Sequence, residues 1–156
     1  MPVVTANNFN DSTPAAPATG TKNVHWQASA PGTNPRNVSA NYDSSYDVVA
    51  SFIGQPTNAA LVFILTFTRN VSFQANWAGS EGTVGTNPTA TATYTIFKNG
   101  TSIGTIVISP AGAFTFASSG GAAFSFVAGD RLTITAPSPA DASLANIGIT
   151  LAGWRT

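Results

Sequence analysis

The stretch "TYTIFKNGTSIGTIVIS", residues 93–109, alternates apolar and polar residues on both sides of a polar hinge that contains glycine, and it holds one charge, Lys98. Period-two alternation puts one face of each half in a core and the other outside. Asn99-Gly100, directly after Lys98, is the dipeptide that supplies the two positive φ angles of a type I′ turn. A β-hairpin is therefore expected, with strands over 90–98 and 102–109. Outward from it, the chain from residue 46 breaks into short apolar or alternating runs separated by Gly, Pro and Asn, the signature of an all-β sandwich or barrel. Further strands are expected over 47–53, 59–68, 70–77, 112–117, 122–127, 131–136 and 145–152, and no segment has the period of an amphipathic helix. "AALVFILTFT" (59–68) differs from the hairpin in being apolar on both faces. One of its faces is expected in the core and the other against another subunit. Turn chemistry agrees, since "AGD" at 128–130 offers Gly129 for a positive φ and "APSPAD" at 136–141 reads as a rigid Pro-containing loop.

Residues 1–45 are of another kind, rich in Pro, Gly, Asn and Ser without a sustained apolar period, and read as an extended arm ahead of a β domain at 46–156. Val3–Val4 and "NVHWQA" (23–28) interrupt it; Val24 and Trp26 alternate with polar neighbours as in a short strand and are the expected anchoring points. At about 3.3 Å per residue such an arm reaches at most roughly 150 Å, which suits insertion into a neighbouring molecule.

Charged residues make up only 8% of the 156, against roughly 25% in an average globular protein. Six basic and six acidic side chains cancel, so there is no field to displace counterions from a phosphate backbone, and nucleic acid is not an expected partner. A neutral, sparsely charged surface favours association, and an oligomer is expected. No cysteine is present, so stability has to come from packing. The N-terminus lacks the basic start and apolar centre of a secretory signal, and no run approaches the roughly 20 apolar residues of a membrane span. The expectation is synthesis in a cytoplasm without membrane insertion. Asn-x-Ser/Thr triplets at Asn10, Asn37, Asn70 and Asn99 are expected by chance in a chain this rich in those residues.

Catalytic chemistry is thinly represented. His25 is the sole histidine and lies in the arm beside Trp26, so a Ser/His/Asp arrangement would require the core to recruit that segment. Asp43 with Asp47, or Asp130 with Asp141, are the available carboxylate pairs for glycoside hydrolysis, but Asp130 follows Gly129 and Asp141 follows Pro139-Ala140, positions where Asp caps a turn through its own side chain. No D-x-D-x-D run suggests a calcium loop. An enzyme is not expected, nor a cofactor or metal. Aromatic side chains are the remaining candidates, because they stack on sugar rings or fill interface pockets. Trp77 opens "WAGSEGTVGTNPT" (77–89), expected to be the longest loop within the domain, with Glu81 inside it. Trp154 lies near the end of the sequence.

The C-terminal part, "TYTIFKNGTSIGTIVIS", "GAFTFAS" and "FSFVAGDRLTITAPSPADASLANIGITLAG", resembles a β module that recurs, often C-terminally, in virion proteins of tailed bacteriophages and prophages. The shared features are a K-N-G turn, an A-G-D strand entry, an A-P-x-x-A-D loop and an L-A-x-I-x-I-T-L final strand. The similarity covers about residues 60–156. The arm's "DSTPAAPATGTKNVHWQ" is similar to a pattern near the start of tail-associated phage proteins. Trp154 departs from the module, where a small or polar residue usually precedes the final Arg, and is a candidate for a contact specific to this chain. The resemblance implies a structural virion protein, homotrimeric, with an antiparallel, jelly-roll-like β-sandwich. It would be joined to other virion proteins through residues 1–45 and located in the virion. A tail fibre, tail-tip or spike component that contacts host surface glycan through Trp77, Glu81 or Trp154 is the leading expectation; a head decoration or head fibre is the alternative, and a carbohydrate-active enzyme a distant third.

Overall fold

The computed structural model describes residues 45–156. The hairpin is present as β5 (Ala92–Lys98) and β6 (Thr101–Ile108), paired from Ala92 opposite Ile108 to Lys98 opposite Thr101 with a shift of register between Ile96 and Phe97. Asn99 and Gly100 take φ of 51° and 87°, as a type I′ turn requires. One face of the hairpin is buried through Ala92, Tyr94, Ile96, Ile106 and Ile108. β7 (Phe114–Ser118) pairs with β6, β9 (Arg131–Thr135) with β5, and β2 (Leu61–Thr66) with β9. The result is a five-stranded antiparallel sheet in the order β2-β9-β5-β6-β7.

Two three-stranded antiparallel sheets complete the domain. One joins β1 (Val48–Phe52), β10 (Ala145–Leu151) and β4 (Glu81–Thr86); the other joins β11 (Gly153–Arg155), β3 (Val71–Phe73) and β8 (Phe124–Phe126). They are successive stretches of the same strand lines. β11 follows β10 after Ala152, while β3 and β4 face them in turn across a seven-residue hump, 74–80. At the break the Ala152 amide donates to Ser80 Oγ (3.0 Å), so the backbone donor is satisfied although the ladder is interrupted. On the opposite side of this line Tyr46 donates to the Gly153 carbonyl (2.8 Å), and Ser45 bridges to Trp154.

Alternate residues of all three sheets meet in one interior: Val48 and Ala50 of β1, Ile147, Ile149 and Leu151 of β10, Leu132 and Ile134 of β9, and the hairpin set above. Each of the Val, Leu and Ile side chains among them, fully buried, contributes about 1.5–3 kcal/mol of transfer free energy. Phe67, Phe73, Trp77 and Phe126 add an aromatic cluster, with ring centroids 4.5 Å apart for Phe67–Phe126, 5.1 Å for Phe73–Trp77 and 5.7 Å for the edge-on Phe73–Phe126 pair.

Three sequence expectations need correcting. The stretch 77–89 is not one long loop, because Glu81–Thr86 is β4. The strand expected over 70–77 ends at Phe73 and gives way to a single 3-10 turn at Ala75–Trp77. Gly153–Arg155 forms an additional short strand. The apolar 59–68 run resolves through a bulge between Leu61 and Phe63. Phe63 and Leu65 stand opposite the buried Ile134 and Leu132, while Leu61 and Ile64, on the other side of β2, are 51% and 55% exposed.

Candidate functional site

Trp77 is 1% exposed, so it does not offer the open stacking surface expected of it. Asn76 and Trp77 both adopt left-handed backbone, φ 53° and 54°, which turns the indole inward from the hump. The conformation costs roughly 1–2 kcal/mol per non-glycine residue and is held by Asn76, whose amide donates to Ser118 Oγ (2.9 Å) and whose Oδ1 accepts from the Ser118 amide (3.3 Å). The indole stacks on Phe124 at 6.1 Å, 13° from parallel, and reaches Gly104 of β6, where a Cβ would lie 2.7 Å from Nε1 and 2.5 Å from the Ala117 carbonyl. Trp77 Nε1 has no hydrogen-bond partner among the described residues. The side chain is a core element that spans two sheets.

Glu81 and Trp154 lie on the outer side of the β10–β11 line. Glu81 is opposite Thr150, and Thr150 is opposite the exposed Val49. Trp154, half-buried, is opposite Ser72, which bonds across to Ser125 (Oγ–Oγ 2.8 Å). These two residues share a face that Trp77 does not reach. Val24, Trp26, His25 and Asp43 lie outside the described residues. Val49, Ile53, Leu61 and Ile64, four of the five large apolar side chains exposed among the described residues, belong to β1, β2 and the start of the loop between them. β1 and β2 are also the outer strands of their sheets.

The aspartates expected to cap turns do so. Asp130 Oδ2 accepts from the Val127 amide (2.9 Å) and pairs with Lys98 Nζ (3.0 Å), while Oδ1 accepts from Asn99 Nδ2 (2.7 Å). The Val127 amide, then Asn99 and Lys98, hold its carboxyl down to about 2. Asn99 Oδ1 in turn accepts from the Arg131 amide (2.8 Å), and Lys98 donates to the Ser125 carbonyl (2.7 Å) from a position 5.2 Å above the Phe126 ring. The K-N-G and A-G-D turns are thereby locked together.

Asp141 is bonded more densely and without a cation. Oδ1 accepts from the Ser143 amide and hydroxyl (both 2.8 Å) and the Leu144 amide (3.0 Å); Oδ2 accepts from the Thr89 amide (2.9 Å) and hydroxyl (2.8 Å) and the Ala90 amide (3.0 Å). These bonds, the Ser143 amide foremost, hold its carboxyl well below the usual carboxylate range. Tyr94 nearby is pushed up to about 12 by burial and by the Asp141 charge, and stays a neutral phenol. Both carboxylates are therefore occupied in turn-building. No family model, curated protein or solved structure matches the chain.

Proposed function

We propose that the chain is a structural subunit of a bacteriophage virion: a jelly-roll β-sandwich, assembled as a homotrimer, attached through residues 1–45 and placed at the tail, where it contacts host surface glycan. The observation that carries the architecture is the order of the strand lines. With β3 and β4 taken as one line, β10 and β11 as another and β7 as an added edge, eight lines remain. They run first, eighth, third, sixth in one layer and second, seventh, fourth, fifth in the other. This order supports the reading as a jelly roll, a fold of viral capsid and lectin domains. Because one fold hosts many functions, the virion assignment leans on the motif resemblance of residues 60–156. Its K-N-G, A-G-D and A-P-x-x-A-D elements coincide with the turns that Asp130 and Asp141 hold.

The trimer reading is supported by the exposed apolar side chains on and beside the outer strands β1 and β2, Val49, Ile53, Leu61 and Ile64, in a domain with few charges to oppose association. Labelling the protein in imaged phage particles tests placement: signal at the tail supports the reading, signal on the head gives the decoration alternative, and none on the particle sinks both. Sedimentation of the full chain tests assembly. A trimer converted to monomer by Ile64→Glu is expected, and a wild-type monomer at micromolar concentration refutes the contact.

A further inference from the structure

We propose that the groove between the β1–β2 loop and the β9–β10 loop is a binding site for neutral saccharide. The inference deepens the glycan contact named above and rests on that reading for its setting. The groove holds about 480 Å³ between Gln55, Pro56, Thr57 and Asn58 on one side and Ala140, Asp141 and Ala142 on the other, a size typical of small-molecule sites, about 300–1,000 Å³.

Its walls are tied together before any ligand arrives. Asn58 Oδ1 accepts from the Ala140 amide (2.7 Å), and Gln55 Nε2 donates to the Asp141 carbonyl (3.2 Å). Ala59 donates to the Pro137 carbonyl (3.0 Å). The Gly54 amide donates to Asn146 Oδ1 (2.8 Å), and the Asn146 amide returns to the Gly54 carbonyl (3.0 Å). Ala59 is kept at φ 53°, a strained setting for a residue with a Cβ, of the sort that clusters at ligand sites. Preorganised walls lower the ordering cost of binding.

What those ties leave over defines the ligand. Gln55 Oε1 is an acceptor, Asn58 Nδ2 a donor and the Thr57 hydroxyl both, and none has a partner among the described residues. Adjacent sugar hydroxyls, each donor and acceptor at once, match such a mixed neutral set. A phosphate or carboxylate would meet no cation in this lining and would face the Asp141 charge. A cation would find both Asp141 oxygens already filled by six donors.

The test is a titration of the isotopically labelled full chain, followed by NMR, with maltotriose and N,N′,N″-triacetylchitotriose as neutral probes and inorganic phosphate as the charged comparator. Saturable shifts are expected at the Gln55 and Asn58 side-chain amides and at the backbone of 55–58 and 140–142 with at least one neutral probe. Thr57→Val, close to isosteric and clear of the wall ties, should weaken that binding roughly fivefold, the worth of one hydrogen bond. The proposal fails if neither neutral probe gives saturable shifts there, if Thr57→Val leaves affinity unchanged, or if phosphate binds more tightly. Since the titration uses purified protein and particle labelling uses virions, either reading can fail without obscuring the other.

Discussion

Asp130 and Asp141 each gather a pair of loops, and they do it by opposite means. Around Asp130 the carboxylate meets an ion pair, and every polar neighbour is consumed: Asn99 uses both ends of its amide, and Lys98 divides itself between Asp130 and the Ser125 carbonyl. Around Asp141 six uncharged donors fill the carboxylate, and the β1–β2 loop tied beside it offers unpaired amide and hydroxyl groups. The first cluster closes the hairpin turns. The second builds a rigid rim with unspent polarity, which is the arrangement a neutral recognition site requires.

Both clusters hang on one interior, and Trp77 is the side chain whose loss should damage them together. Trp77→Ala is expected to lower stability by about 3–5 kcal/mol, with a single melting transition seen by probes at either cluster. Separate transitions would mean that the two ends are independently stable. Gly104→Ala should cost roughly 1–3 kcal/mol by overpacking, since its methyl would collide with the indole and the Ala117 carbonyl. Calorimetry on the pair ranks the effects, and a neutral Gly104→Ala would show that the indole has room to shift.

A smaller effect sharpens the contrast between the two carboxylates. Asp141→Asn should lower the melting temperature more than Asp130→Asn at neutral pH, because an amide nitrogen would then face three fixed donors. Both carboxyls titrate below the usual 3.8 in the folded chain, so the unfolded chain binds more protons as the solution is acidified. The stability from Asp130 is full above about pH 4 and is lost as pH falls toward about 2; that from Asp141 persists to still lower pH. Salt provides the finest distinction. It should erode the contribution of the Lys98–Asp130 pair slightly, while the Asp141 cluster, which contains no ion pair, responds less. Equal salt responses in the two Asn variants would remove the distinction.

The hairpin, the Asn99-Gly100 and Gly129 turns and the capping role of both aspartates were legible in the sequence, because alternation and turn residues are local signals. The two strands that escaped share one physical cause. On β4, "EGTVGT" offers Gly82 at an inward position, and on β11 the inward residue is Gly153. At Gly82 a Cβ would lie 2.2 Å from the Phe114 ring, and at Gly153 one would lie 2.8 Å from the Phe73 ring. In each case a neighbouring strand's aromatic fills the space, so the apolar signal sits on a different segment from the strand it completes. Trp77 misled for a related reason: its burial depends on two consecutive left-handed residues that no turn motif announces. The saccharide groove was invisible because Asn58 and Gln55 acquire their roles only from Ala140 and Asp141, more than eighty positions away.

The bridge between Ser45 and Trp154 fixes how the domain would carry a mechanical load. A pull arriving through the preceding chain enters at Ser45, runs straight along β1, and leaves through the Gly54–Asn58 loop where the groove lies. β1 is held in register against β10 at five positions, Val48 to Phe52, but tension between the two ends of this one strand passes along its covalent backbone and leaves those rungs unloaded. A tether at one end and a captured ligand at the other would therefore be joined by one covalent strand with its ladder unstrained, whereas a force applied between Ser45 and Thr156 would open the same neighbourhood one rung at a time.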